Sequence, residues 1–304
     1  MHIPNGMLHG GICPVTAFVS VVGIGFSAFK AFFAKVKPSS SKFAAVTALI
    51  FAGQMMNFPI NGGTSGHLLG GVLAVALLGI PFGVLSIALV VTIQCLVFSD
   101  GGFTVLGANI LNMAIIGAGL GGILKAYFDK TYQTNSQRTL GLGFSAWAAV
   151  MLASLACSIE LAISGTIPFF TVIGAMWGTH AFIGIGEGLI TIAVCLALAY
   201  KPVRTSEKRS ITIPLIASGI IATILSPFAS GLPDGLEWVA QKFNFLHESA
   251  PTFVSPLPDY TMPIVNNEML TTASAGLLGV IITFVIAWMT AKLLNKPGRL
   301  KASV

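Results

Sequence analysis

The chain has 304 residues, of which 55% are hydrophobic and only 9% charged, with a net charge of +6. Soluble domains carry about 25% charged residues, so a soluble fold of this size is excluded. The basic surplus does not point to nucleic acid, because it sits in short stretches between long apolar runs. Composition therefore predicts an all-α polytopic integral membrane protein embedded in a lipid bilayer.

The first ten residues, MHIPNGMLHG, contain no Lys or Arg, no apolar run and no A-x-A pattern, so they do not read as a secretory signal. A spanning helix needs about 20 mostly apolar residues. That template predicts nine transmembrane helices, near 11–34, 43–58, 67–79, 82–99, 104–126, 140–163, 169–200, 211–229 and 270–292. The third covers only about 20 Å at 1.5 Å per residue, so it is expected to begin below the membrane surface, after a re-entrant loop. The seventh reads as one tilted helix or as two broken near Gly184 and Gly186.

Charge selects between these. With nine spans, 15 of the 16 Lys and Arg residues fall on one side, the cytoplasmic one by the positive-inside rule, and only Lys242 falls outside. Splitting 169–200 would place the cluster Lys201, Arg204, Lys208 and Arg209 outside, so it stays whole. The N-terminus is then expected outside and the C-terminus in the cytoplasm. A charged stretch at 201–210 marks the boundary between a seven-helix unit, 1–203, and a two-helix extension, 204–304, whose long 230–269 loop faces outward.

The N-terminus itself offers ligands. The Met1 amine, the His2 amide nitrogen and the His2 ring can close two fused chelate rings on one metal ion. A second residue as large as His normally spares Met1 from removal. His67 lies in NFPINGGTSGHLLGG, residues 57–71, too rich in glycine for a spanning helix. Backbone of that kind at membrane depth must be buried in protein or line a cavity. Thr64 and Ser65 are expected to cap the short helix that follows, leaving His67 in its first turn. Taken alone, His67 reads as a histidine in an outer loop or hydrogen-bonded at a helix start.

Taken with His2 on the same outer face, it completes a four-nitrogen set. Nitrogen ligands in a plane suit Ni(II) or Cu(II), whereas oxygen cages suit magnesium or calcium. Binding through the amide releases a proton and weakens in acid.

Further in, His180 and Glu187 lie seven residues apart on the seventh helix, about 700° of rotation, and so share a face. Glu160 lies near the outer end of the sixth. Ionisable groups within spans are costly and read either as pathway or ligand-orienting residues or as a packing network. Gly117 and Gly121 permit close helix contact, within the protein or with a partner. Met55, Met56 and Met113 read as packing, and Cys13, Cys95, Cys157 and Cys195 as buried apolar side chains. No Walker A, H-E-x-x-H or G-x-S-x-G pattern occurs, so an ATP-powered process needs its ATPase from another chain, and an enzyme is not indicated.

MHIPNG, NFPINGGTSGHLLGG and HAFIGIGEGLIT (180–191) together resemble the CbiM/NikM family, the substrate-binding membrane components of energy-coupling-factor (ECF) transporters for cobalt and nickel. LPDGLEWVA, residues 232–240, resembles the PDGLE motif of the small NikN-type component, here fused. The resemblance implies metal ligation by Met1, His2 and His67, with the 57–66 loop, including Asn57, Thr64 and Ser65, closing the site. It implies no permanently bound cofactor, only transported Ni(II) or Co(II). It also implies two kinds of partner, a membrane-embedded coupling (T) subunit and ABC-type ATPase subunits. Where the family usually has Asp this chain has Asn5, and His9 stands outside the pattern. The rival expectation is a stand-alone metal/proton exchanger using Glu160, His180 and Glu187.

Overall fold

A computed structural model describes residues 1–60, 62–199, 207–246 and 253–295. His247, Glu248 and the basic residues Lys201, Arg204, Lys296, Arg299 and Lys301 lie outside them, as does most of the predicted boundary at 201–210. Each of the nine predicted helical segments contains a helix. These are α1 (Ile12–Phe32), α2 (Ser40–Gln54), α3 (Gly71–Leu78) and α4 (Ile80–Phe98), then α5 (Leu106–Ile110) running through a π-helical stretch (Leu111–Leu120) into α6 (Gly121–Thr131). Next come α7 (Asn135–Ile163), α8 (Phe169–Ala199) and α9 (Glu207–Ile220), the last continued by a π turn. A short helix, α10 (Gly235–Lys242), precedes the final long one, α11 (Glu268–Leu294).

Among the described residues, seven helices are long and apolar enough to cross a membrane, not nine. The two that fall short are α2 and α3. At 15 and 8 residues they reach about 22 and 12 Å, against a hydrocarbon core of about 30 Å. The reason for α2 is that the chain leaves the helix at Gln54 to form a β-hairpin, where residues to 58 were expected to be helical. From Phe43 to Ala52 every α2 residue is buried, because α4, α9 and α11 pack around it. The C-terminal extension thus encloses a helix of the first unit.

The second correction concerns residues 57–67. Asn57–Ile60 (β1) and Thr64–His67 (β2) pair antiparallel, with Asn57 opposite His67 and Ile60 opposite Thr64. His67 therefore ends a strand and is not in the first turn of α3, and Thr64 and Ser65 do not cap that helix. Gly62 and Gly63 at positive φ supply the turn. The N-cap of α3 is Gly70, in the left-handed conformation. The two backbone donors that lead into it are met from α8: the Glu187 carboxylate accepts from Leu69 N at 2.6 Å and from Gly70 N at 2.8 Å.

The small residues of the π stretch pack internally. A Cβ on Gly71 would lie 2.7 Å from Ala118 N, and Gly117 and Gly121 face Leu69 and Ala149. The outer side of α1, by contrast, exposes Phe18, Val22, Phe26 and Phe29, as a lipid-facing helix should.

Candidate metal centre

Residues 1–8 thread into the protein. Ile3 and Met7 are fully buried, each worth about 1.5–3 kcal/mol of apolar transfer, which offsets the cost of carrying a polar terminus inward. Asn109 fixes the depth: its Oδ1 accepts from Ile3 N at 2.8 Å and its Nδ2 donates to Ile3 O at 3.1 Å. Gly102 N also donates to Ile3 O, and this close approach needs glycine, since a Cβ there would lie 2.4 Å from Asn5 N. Asn5 accepts from both Thr104 N and Thr104 Oγ1 through its Oδ1, so its amide anchors the segment. Thr166 Oγ1 holds Met7 O at 2.6 Å.

This threading brings Met1, His2 and His67 together in burial. The Met1 amine contacts His67 Nε2 directly, and the His2 and His67 rings stack at 5.1 Å with 15° between their planes. His67 Nδ1 lies 3.0 Å from Leu68 O, which can only accept, so Nδ1 carries the proton and Nε2 presents its lone pair to the amine. Burial, with the Met1 ammonium and His2 next to it, holds the His67 pKa down to about 3. The imidazole thus stays neutral, the form a metal ligand needs.

Two carboxylates that sequence reasoning passed over hold this group. Asp234 Oδ2 lies 2.9 Å from the Met1 amine and 4.0 Å from His67 Nε2. Burial pushes the Asp234 carboxyl up, but the Met1 ammonium and His67 override it and keep it well below the usual carboxylate range. Asp100 Oδ1 lies 3.0 Å from His2 Nδ1, and its Oδ2 accepts from Tyr260 Oη at 2.6 Å, while Gln94 Nε2 donates to that hydroxyl. Partial burial raises Asp100, and the charge and hydrogen bond of His2 outweigh this, so its pKa too is depressed. His2 Nε2 is buried without a hydrogen-bond partner.

The PDGLE motif acquires a physical explanation here. Asp234 is the N-cap of α10: its Oδ1 accepts from Leu236 N and Glu237 N at 2.8 and 2.9 Å, and Glu237 Oε2 accepts from Asp234 N at 3.0 Å. That capping box occupies Oδ1 and leaves Oδ2 for the amine. Leu236 is fully buried and anchors the turn. The preceding residues lie along β2, where Ser65 N donates to Pro233 O at 2.8 Å and the Ser65 hydroxyl donates to Leu232 O at 2.7 Å. Thr64 Oγ1 reaches Pro233 O as well. Asn57 meets His67 across the hairpin and accepts from Ser230 N through its carbonyl.

Other expected residues are placed as follows. His180 borders a small cavity shared with Met1, His67 and Asp234. Glu187 acts one step away, through Leu69 and Gly70. Glu160 is apart from both, bonded to Asn112 Nδ2 at 2.7 Å. His9 is exposed and contributes its backbone N–H to Ser164 Oγ. Among the described residues no group of three or more His, Cys, Asp or Glu side chains is arranged to hold a metal. The Met1 amine and the His67 ring are in direct contact, with the His2 ring stacked beside them.

The model of the cobalt uptake substrate-specific transmembrane region, CbiM, matches residues 2–205, and that of the PDGLE domain matches 208–296. A protein of Archaeoglobus fulgidus, provisionally named a fused nickel transport protein NikMN, is 35% identical over 95% of this chain and 97% of its own length. The fused nickel transport protein NikMN of Rhodobacter capsulatus is 27% identical over 92% and 94%. A crystal structure described as a truncated transition metal transporter superposes with a TM-score of 0.58 at 31% identity, covering 65% of this chain and 98% of that one. The chain is a multi-pass membrane protein that belongs to the CbiM family, with a PDGLE domain fused behind it.

Proposed function

We propose that the chain is the metal-capturing component of an ATP-driven energy-coupling-factor importer for Ni(II) or Co(II), and not itself an enzyme. The observation that carries this is the direct contact of the buried Met1 amine with His67 Nε2, under a His2 ring stacked on His67. In this reading four nitrogens hold one ion: the amine, the His2 amide, the His2 ring and His67 Nε2. The amine and the His2 amide close a five-membered ring, and the amide and His2 Nδ1 close a six-membered one. His2 Nδ1 lies 3.0 Å from Asp100 Oδ1, so ligation through this nitrogen exchanges that contact for the ion. A planar nitrogen set favours Ni(II) slightly over Co(II).

Capture takes place at the outer face, with the N-terminus outside and the C-terminus cytoplasmic, as the bias of basic residues supports. Release inward is driven by a coupling subunit and ABC-type ATPases. Residues 1–203 form the binding unit. The 204–304 unit aids loading through its outer loop, a role supported by the contacts of Asp234 and Tyr260 with the ligand residues and their carboxylate partner.

The test is His2→Gln, which removes the ring nitrogen and with it the six-membered chelate ring, while keeping a second residue bulky enough to spare Met1. Ni(II) affinity of the purified chain is expected to fall at least a hundredfold; unchanged tight binding refutes the terminal chelate. Uptake into liposomes holding this chain alone, driven by a pH gradient and indifferent to ATP, would instead establish the exchanger.

A further inference from the structure

His180 is 1% exposed, about three turns into α8. Its Nδ1 lies 2.8 Å from Met176 O, a carbonyl that can only accept, so Nδ1 carries the proton. Nε2 is then a bare lone pair. It is buried and has no hydrogen-bond partner. A backbone carbonyl that fixes the tautomer in this way is the usual support of a metal-binding imidazole.

The ring borders a cavity of about 10 Å³, room for roughly one water-sized group. Met1, His67, Asp234 and Gly235 line the same space. Gly235 keeps it open: a Cβ there would lie 3.0 Å from His180 Cε1 and 3.4 Å from Nε2. Asp234 Oδ2, the oxygen not used in the cap, is already within 2.9 Å of the Met1 amine. A nitrogen lone pair and a carboxylate oxygen therefore stand beside the chelate, in a buried chamber, on its α8 side.

We propose that His180 Nε2 and Asp234 Oδ2 form a second cation position, a transfer site that takes the divalent transition-metal ion as it leaves the terminal chelate. The inference rests on the reading that the terminus captures the ion. An ion stripped from four nitrogens into an apolar interior would meet the full cost of a bare charge. Donors that engage before the old ones let go turn that step into a ligand exchange. Imidazole with carboxylate suits Ni(II), Co(II) and Zn(II) alike, and the carboxylate replaces the negative charge that the amide supplied.

The experiment uses the full chain in detergent with His2→Gln, probed with Co(II) by equilibrium dialysis and visible absorption. One weak Co(II) site, at least a hundredfold weaker than in the parent chain, is expected to remain. His180→Gln in that background is expected to abolish it, and Asp234→Asn, which preserves the cap, to weaken it at least tenfold. Gly235→Ala serves as a second variant that fills the chamber while leaving both donors, and is expected to weaken the site at least tenfold. No residual site, or one indifferent to His180→Gln and Gly235→Ala, means that the chamber holds water only and overturns the proposal. Tight Ni(II) binding that survives His2→Gln overturns the terminal chelate, and the transfer site with it; it is told apart by its undiminished strength.

Discussion

Glu187 is the residue through which α8 fixes the end of the metal loop, and Glu187→Gln isolates that role. Its two oxygens accept from successive backbone donors, Leu69 N at 2.6 Å and Gly70 N at 2.8 Å, in a fully buried place. A glutamine oxygen can keep one of these bonds. Its NH2 group then confronts the other N–H, so one hydrogen bond is lost and buried donors are left unsatisfied. At about 1 kcal/mol for the bond and about 1–3 kcal/mol for the unmet donors, the loss comes to roughly 2–4 kcal/mol. The damage lands two residues from His67. Ni(II) affinity is therefore expected to drop about tenfold, the equivalent of about 1.4 kcal/mol of that loss spent on misplacing one ligand. Thermal unfolding in detergent, with and without Ni(II), reads both effects. An unfolding temperature and a Ni(II) affinity both indistinguishable from the parent would refute the idea that Glu187 holds the turn.

Gly71→Ala should destabilise by about 1–3 kcal/mol, because the added methyl meets the backbone of Ala118 and Gly117, which cannot rotate aside; thermal unfolding checks it. Tyr260→Phe removes the hydroxyl that donates to Asp100 at 2.6 Å. It is expected to cost about 1–2 kcal/mol and to change Ni(II) dissociation measurably, whereas Tyr127→Phe, on an exposed ring, serves as the control that changes neither. In the metal-free protein, His67 titrates at about 3 folded and near its ordinary 6.5 unfolded, so the unfolded chain binds the extra proton between those values. Its contribution to stability is complete above about pH 6.5 and is lost as pH falls toward 3, with a slope of at most about 1.4 kcal/mol per pH unit. Unfolding measured from pH 7 to 4 should show that slope, and His67→Gln should flatten it. Asp234, whose pKa is depressed, adds a further loss only below its own unfolded value near 3.8.

The apolar runs were enough to locate the helices, because length and hydropathy are what a bilayer selects for. They could not separate a span from a buried helix: Phe43 to Ala52 is as apolar as a lipid-facing segment, and only the packing of α9 and α11 reveals why it can be short. The hairpin has a local signal that competes with another. Asn-Gly-Gly between NFPI and TSGH is a turn signal, while Thr64 and Ser65 equally fit the pattern of helix caps. Met1, His2 and His67 could be joined from sequence because the chelate chemistry constrains residues 1 and 2 by themselves. Asp234 was half legible, since D-x-x-E before an apolar helix is a capping box. That its second oxygen reaches Met1, more than two hundred residues away, was not. Nor was Tyr260 on Asp100, for no local pattern encodes a contact of that span.

The seam between β2 and the segment before α10 bears on what gene fusion contributes. The joint is made of Ser65 N to Pro233 O, Ser65 Oγ to Leu232 O and the Met1–Asp234 pair, all between groups that would be equally available on two separate chains. Those contacts do not depend on the covalent connection between the two units. What it supplies is local concentration, equivalent to about a millimolar partner that never diffuses away. A nick in that connection should leave two halves that copurify, bind Ni(II) with unaltered affinity, and come apart only on dilution.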